Sequence, residues 1–393
     1  MDFEFSTDQL AFREEVERFL DANDDPVLFD VTRENMAQVA DTPDRRAFMQ
    51  KIAKQGWLGI TWPKEWGGQE GDGVYEYLLN EALAGRGGPQ IGKGVGIIGK
   101  TILRHGSEKL KKEFLPKILT HDIDFAVGYR EPVAGSDAAS MKLKATKDGD
   151  GWRLNGQKTW TTSAHFAEWI WVGARTDPDV PKHFGITLFL VPLDHPGITV
   201  RAIWTMGDER TNDVFFDDVF VHDDYVVGEL NKGFQYISEA LDLERFTMFT
   251  YSPIQQRLEL LCEYVSTATR DDQPLRDDPV VRSRIAQLVT QAEVARVLGL
   301  RVVAASMKGG APPTTESSEY KLYATELSKR LANAAMDIVG HEAQLRVGTD
   351  EAPMGGRTES TYRYTVLDTI GGGASEIQKN IIARRKLGLP KNF

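Results

Sequence analysis

The sequence predicts an α+β multi-domain protein. A helical domain occupies residues 1–121, a middle β-barrel or sandwich residues 122–229, and a C-terminal helical bundle residues 230–393. Three observations predict it. Apolar spacing is helical to about Thr120, strand-like to about Val227, and helical again from about Asn231. The middle stretch sets turn dipeptides between short β-branched and aromatic runs. The last stretch joins long periodic segments through short loops.

Near the N-terminus, Ser6 and Gln9 have capping-box spacing ahead of Phe12, Val16, Phe19 and Leu20. A second helix fits Arg45–Gln55, with Phe48, Ile52 and Ala53 on one side and Gly56 as a stop. Others fit Gly73–Ala84 and Ser107–Leu115, the latter ended by Pro116. In the middle stretch Lys142–Thr146 alternates, 148–151 (DGDG) is a hairpin turn, and Asn155-Gly156 reads as a second turn. Short strands then fit Glu168–Ala174, Gly185–Pro192, Ile198–Ile203 and Asp213–Val221. Toward the C-terminus a helix fits Gly233–Thr267, and another begins with Asp278 as cap and Pro279 at the first helical position. After the loop 309–313 (GGAPP), a third helix of this bundle reaches about Val339 and a fourth begins near Arg357.

Composition narrows the function. At about 150 residues per domain, 393 residues allow two to three domains. The 58 acids outnumber the 47 basic residues, for a net charge of −11, which argues against sequence-independent binding to nucleic acid or anionic membranes. A local basic groove for a phosphate-bearing ligand remains compatible. The single cysteine, Cys262, excludes an internal disulfide and any cysteine cage for zinc or iron–sulfur. No stretch approaches the roughly 18 apolar residues of a membrane span, and the first residues, MDFEFSTDQLAF, have no basic region of a signal peptide. These features point to a cytoplasmic protein. The seven histidines show no metal-ligand spacing.

Three constellations could carry chemistry. Residues 125–137 (FAVGYREPVAGSD) pair with 155–163 (NGQKTWTTS). There Trp160 offers a flat face, and Thr161 and Thr162 offer hydroxyls and edge N–H groups, which a planar heterocycle needs. Gly128, Gly135, Ser136 and Asp137 could equally be ordinary loop punctuation. In 240–246 (ALDLERF) Glu244 and Arg245 sit among apolar residues, so Glu244 is either a base of raised pKa or half of a solvated pair. In 369–378 (TIGGGASEIQ) three glycines either expose N–H groups to an anion or carbonyl oxygen, or form a flexible turn.

Taken in order, these stretches resemble the acyl-CoA dehydrogenase family over essentially the whole chain. YREPVAGSD…NGQKTWTTSA is similar to its flavin signature, 206–228 to the segment closing the β-domain, and DTIGGGASEIQKNIIARRKLGL to its C-terminal signature. The resemblance implies an α-domain, a β-barrel and a four-helix bundle holding FAD between barrel and bundle. The implied reaction is α,β-dehydrogenation of an acyl-CoA thioester: a carboxylate takes the α-proton, hydride passes to flavin N5, and an electron-transferring flavoprotein takes the electrons. Trp160 would stack on the flavin with Thr162 near its N5. Tyr129, Arg130, Thr161, Gly373, Ala374 and Glu376 would complete the cofactor site. Ser136 would lie near the flavin phosphates and the CoA arm, with Asp242 and Arg245 at the CoA entrance.

The base is the informative departure. Many members carry glutamate where Gly372 stands; a smaller group, including isovaleryl- and long-chain-type enzymes, carries it on the bundle helix, which is Glu244 here. The Gly372 N–H would remain the thioester donor, an effect of about 3–4 kcal/mol, and the missing side chain would leave room for a branched, cyclic or steroid-derived acyl group. Arg130 replaces the usual Thr or Ser, and would either stabilise reduced flavin or point to solvent. Ala374 replaces a Thr, and the Arg-x-x-Phe-Gly motif is absent around Arg270. Several strings are similar to actinobacterial sterol side-chain dehydrogenases, some of them heteromers. A homodimer or homotetramer is expected, with a heteromer, an oxygen-using flavin oxidase or monooxygenase, and a non-catalytic partner subunit as alternatives.

Overall fold

The computed structural model describes residues 4–248, 250–306 and 313–390, with the side chains of 35 and 242–248 outside the description. The N-terminal stretch holds α1 (Thr7–Asp21), α2 (Pro43–Lys54), α3 (Gly73–Gly85), α4 (Lys100–His105) and α5 (Glu108–Leu119). The strands of the middle stretch are β1 (Phe125–Gly128), β2 (Lys144–Asp148), β3 (Gly151–Lys158), β4 (Trp169–Arg175), β5 (Ile186–Pro192), β6 (Ile198–Trp204), β7 (Arg210–His222) and β8 (Val226–Val227). Then follow α6 (Gly233–Met248), α7 (Ser252–Thr267), α8 (Pro279–Ser306), α9 (Thr314–Val339), α10 (Arg357–Asp368) and α11 (Ser375–Ile381). The predicted order of helices, strands and helices is observed. No helix among the described residues is long and apolar enough to cross a membrane.

The chain forms two compact units. One contains Val39–Asp72 and Ile91–Glu244. Its sheet has the order β6-β7-β3-β2-β4-β5-β8, with β1 parallel to β4. Leu154, Ile170, Val172, Phe189, Val191, Val214 and Val219 bury completely to form its core. The hairpin predicted at 148–151 joins β2 to β3, with Asp148 opposite Gly151. Asn155-Gly156 is not a turn. β3 runs through it to Lys158, and the register against β7 shifts between Leu154 and Gly156, a β-bulge. Gly156 has φ +141°, and Asn155 Oδ1 accepts the Asp218 N–H at 2.8 Å, so a turn-type dipeptide serves a bulge instead. Pro116 likewise does not end α5, which continues to Leu119. The ring deletes one N–H, but Phe114, Leu115 and Ile118 still bury on that face.

The other unit contains Met1–Gln38, Gly73–Gln90 and Arg245–Phe393. Leu258, Leu261, Leu288, Ala292, Ala295, Leu327 and Leu331 of α7, α8 and α9 form its core. The single helix expected over Gly233–Thr267 is two, α6 and α7. The break is fixed from α3: Glu81 accepts the N–H groups of Tyr251 (2.9 Å) and Ser252 (2.7 Å) and the Ser252 hydroxyl (2.6 Å), and Pro253 follows in the first turn. A carboxylate there satisfies orphan donors and favours the positive helix end. Burial pushes the Glu81 carboxyl up, against those hydrogen bonds. The capping box at Ser6 and Gln9 and the cap at Asp278 are both formed. Most of the GGAPP loop lies in 307–312, outside the described residues.

Candidate active site

In the sheet-bearing unit, the end of β3 lies beside the loop that follows β1, since the Thr159 N–H donates to the Arg130 carbonyl at 2.9 Å. Trp160 and Ser163 both adopt left-handed backbone, φ +54° and +76°. Two strained non-glycine residues so close together persist only where the surroundings over-determine them. Asn212 on β7 is one such determinant: its carbonyl accepts the Thr161 N–H at 2.9 Å and its Nδ2 donates to the Thr161 carbonyl at 3.0 Å. The outcome is a Trp160 ring left 58% exposed, a flat apolar face presented outward.

The neighbouring residues differ in what they offer. The Thr161 N–H, expected as an edge donor, is engaged by Asn212; its fully buried hydroxyl has no hydrogen-bond partner. The Thr162 N–H is likewise engaged, by the Trp160 carbonyl at 3.2 Å, while its hydroxyl lies 3.4 Å from that of Thr211. Tyr129 is buried, and its hydroxyl accepts from Trp171 Nε1 at 2.8 Å. Arg130 is half-buried and donates to the Gly135 carbonyl, bracing the loop that carries exposed Ser136. Beneath them, Lys158 is fully buried and bonds Glu131 at 2.7 Å; Glu131 also accepts the N–H groups of Lys142 (2.6 Å) and Leu143 (2.8 Å). Burial pulls the Lys158 amine down to about 8 despite that carboxylate.

In the other unit, Gly372 (φ +61°) and Gly373 (φ +94°) make a turn that residues with a Cβ rarely adopt. Gln378 Nε2 donates to both of their carbonyls, at 3.1 and 3.0 Å, and Lys321 Nζ donates to Gly373 at 2.9 Å. The N–H groups of Gly372, Gly373 and Ala374 make no hydrogen bond among the described residues. The Ser375 hydroxyl donates to Glu326 at 2.6 Å, and Glu376 is exposed. Asp242, Glu244 and Arg245 lie on α6, but their side chains are outside the described residues. Sequence reasoning missed Asn212, Lys158, Glu131, Lys321 and Gln378. Glu131, Lys158, Asn212 and Gln378 lie within stretches already singled out, at 125–137, 155–163, 206–228 and 369–378, whereas Lys321 lay in none of them.

Comparison with known proteins decides the family. The chain matches the acyl-CoA dehydrogenase N-terminal domain over residues 6–122, the middle domain over 126–219 and the C-terminal domain over 231–387. The chain belongs to the acyl-CoA dehydrogenase family. Members of this family are FAD flavoproteins, oxidoreductases acting on acyl-CoA. The protein is 35% identical over 354 residues to the acyl-CoA dehydrogenase IpdE1 of Mycobacterium tuberculosis, covering 88% of this chain and 89% of the relative. It is 31% identical over 352 residues to that organism's FadE26, covering 88% of each. Among solved structures, it is similar to the Tcur3481-Tcur3483 steroid ACAD, with a TM-score of 0.90, 29% identity and full coverage of both chains. It is also similar to the ChsE4-ChsE5 complex of M. tuberculosis, with a TM-score of 0.87, 29% identity and full coverage of both chains. Within the sheet-bearing unit of this dehydrogenase, the outward indole face of Trp160 and the Thr162 hydroxyl, 3.4 Å from that of Thr211, are groups of the kind a flavin ring requires.

Proposed function

We propose that the protein is an FAD-dependent acyl-CoA dehydrogenase acting on a branched, cyclic or steroid-derived thioester, with Glu244 as the base that removes the α-proton. One observation carries this reading: the 372–374 turn presents three amides and, at Gly372, no side chain. The Gly372 N–H would polarise the thioester carbonyl and stabilise the enolate formed as the proton leaves. A base supplied elsewhere on the chain then becomes necessary, and Glu244 on α6 meets that need. FAD, when bound, accepts the β-hydrogen as hydride. Trp160 would stack on its ring system, Thr162 would hydrogen-bond its edge, and Ser136 would sit near its phosphates. Gly373, Ala374 and Glu376 would line its other end, while Asp242 and Arg245 would hold the CoA arm. An electron-transferring flavoprotein in the cytoplasm would take the electrons.

Anaerobic titration with a panel of linear, branched, cyclic and steroid side-chain acyl-CoA thioesters tests this reading. Flavin bleaching by bulky members is expected, and a flavin left oxidised by all of them would count against it. The two-component names of the similar structures favour a second reading, that the chain is one subunit of a heteromer. Colourless protein that gains flavin only with a partner would support that reading.

Trp160→Ala is expected to weaken FAD binding by about 1–3 kcal/mol, the range seen when bases lose an aromatic platform. Fold stability should change little, because the ring is mostly exposed. Reconstitution of apoprotein followed by flavin fluorescence gives the affinity; an unchanged value would remove Trp160 from the flavin site.

A further inference from the structure

We infer that Lys321 and Gln378 are positioning residues for the thioester. By holding the carbonyl oxygens of Gly372 and Gly373, they aim the amides of the 372–374 turn at the substrate carbonyl. This rests on the reading of Gly372 as thioester donor.

Both side chains are fully buried, and lysine is almost never so placed without a specific partner. Lys321 reaches the Gly373 carbonyl from α9, and Gln378 reaches back from α11 to the carbonyls of Gly372 and Gly373. A trans peptide unit carries its C=O and N–H on opposite sides. Holding the Gly372 carbonyl against Gln378 therefore turns the Gly373 N–H away from it. The grip on the Gly373 carbonyl does the same for the Ala374 N–H. The Gly372 N–H belongs to the unit before, next to Gly371, whose own N–H donates to Leu367 at 2.8 Å. Gly371 also packs so tightly on Met36 that a Cβ there would lie 2.8 Å from its sulfur. The unit after Gly372 is thus held by Gln378 and the unit ahead of Gly371 by Leu367, which leaves Gly372 between two anchored points. Two successive glycines at positive φ have wide backbone freedom, so the side-chain grips select one orientation from many. Preorganised donors stabilise developing charge without reorganising when the reaction occurs.

The test uses pivaloyl-CoA carrying 13C at the thioester carbonyl. It has no α-hydrogen, so it binds the holoenzyme without reacting. Difference infrared spectra report polarisation of that carbonyl as a band lowered from its position in free thioester. The wild-type protein is expected to lower the band, and Lys321→Met and Gln378→Leu to return it most of the way while the probe still binds. A lowered band that survives in both variants overturns the positioning role and leaves the Gly372 reading standing. No lowering in wild type at saturating probe overturns both. Should Lys321→Met fail to fold, Gln378→Leu decides alone, since it removes a donor from each carbonyl.

Discussion

Glu244→Gln is expected to lower turnover by about 10³–10⁴-fold, the upper end of the range for losing a general base, with FAD retained. The α-hydrogen of a thioester is a weak acid, and it leaves only when a base and a polarised carbonyl act on the same carbon. Glutamine keeps the volume and polarity of glutamate but cannot take a proton. Substrate should therefore still bind while flavin bleaching under anaerobic titration disappears. That combination separates loss of the base from loss of the site, because a damaged site would also release flavin or weaken binding. Bleaching that persists at the wild-type rate would remove Glu244 from the mechanism. Attention would then move to Asp368, fully buried at the end of α10, and to Glu376, which is exposed in the first turn of α11.

Local signals in the sequence were realised where the chemistry was local. The capping box at Ser6, the DGDG hairpin and the Asp278-Pro279 start each involve residues within a few positions of one another. The failures share a different cause. Asn155-Gly156 has the chemistry of a turn, but cross-strand pairing with β7 keeps β3 going and converts it to a bulge. The break between α6 and α7 depends on Glu81, 170 positions from Tyr251, and no pattern around 250 encodes a cap supplied by α3. The N-terminal helices also divide between the two compact units, α1 and α3 in one and α2, α4 and α5 in the other, which contiguity in sequence conceals. The same contrast governs the site. Trp160 and Thr162 stood out because an aromatic and hydroxyls cluster at a strand end. Lys321 looked like any helical lysine, and only its burial and its bond to Gly373 distinguish it.

Breaking the Lys158–Glu131 pair is expected to destabilise the protein by about 3–5 kcal/mol, the usual consequence of leaving one member of a buried ion pair uncompensated. Glu131→Gln and Lys158→Met should each show this in denaturant unfolding of the holoprotein. The double variant should recover much of the loss, because no buried charge then remains. Additive effects, or single effects under about 1 kcal/mol, would mean that the pair behaves like a surface contact. The pH dependence gives an independent check on the lysine. Its amine is pulled from 10.5 to about 8 in the folded protein, chiefly by burial. Between those values the unfolded chain holds a proton that the folded chain has released, so stability rises with pH. Below pH 8 both states are protonated and this slope vanishes. The stability of wild type relative to Lys158→Met should therefore grow by about 2 kcal/mol between pH 7 and 10. The pair also joins the end of β3 to the loop carrying Arg130 and Ser136, through Glu131's hold on the Lys142 and Leu143 amides. The variants should then lose flavin at lower denaturant than they lose the helical signal of the bundle, since the first element to loosen is the one presenting Trp160.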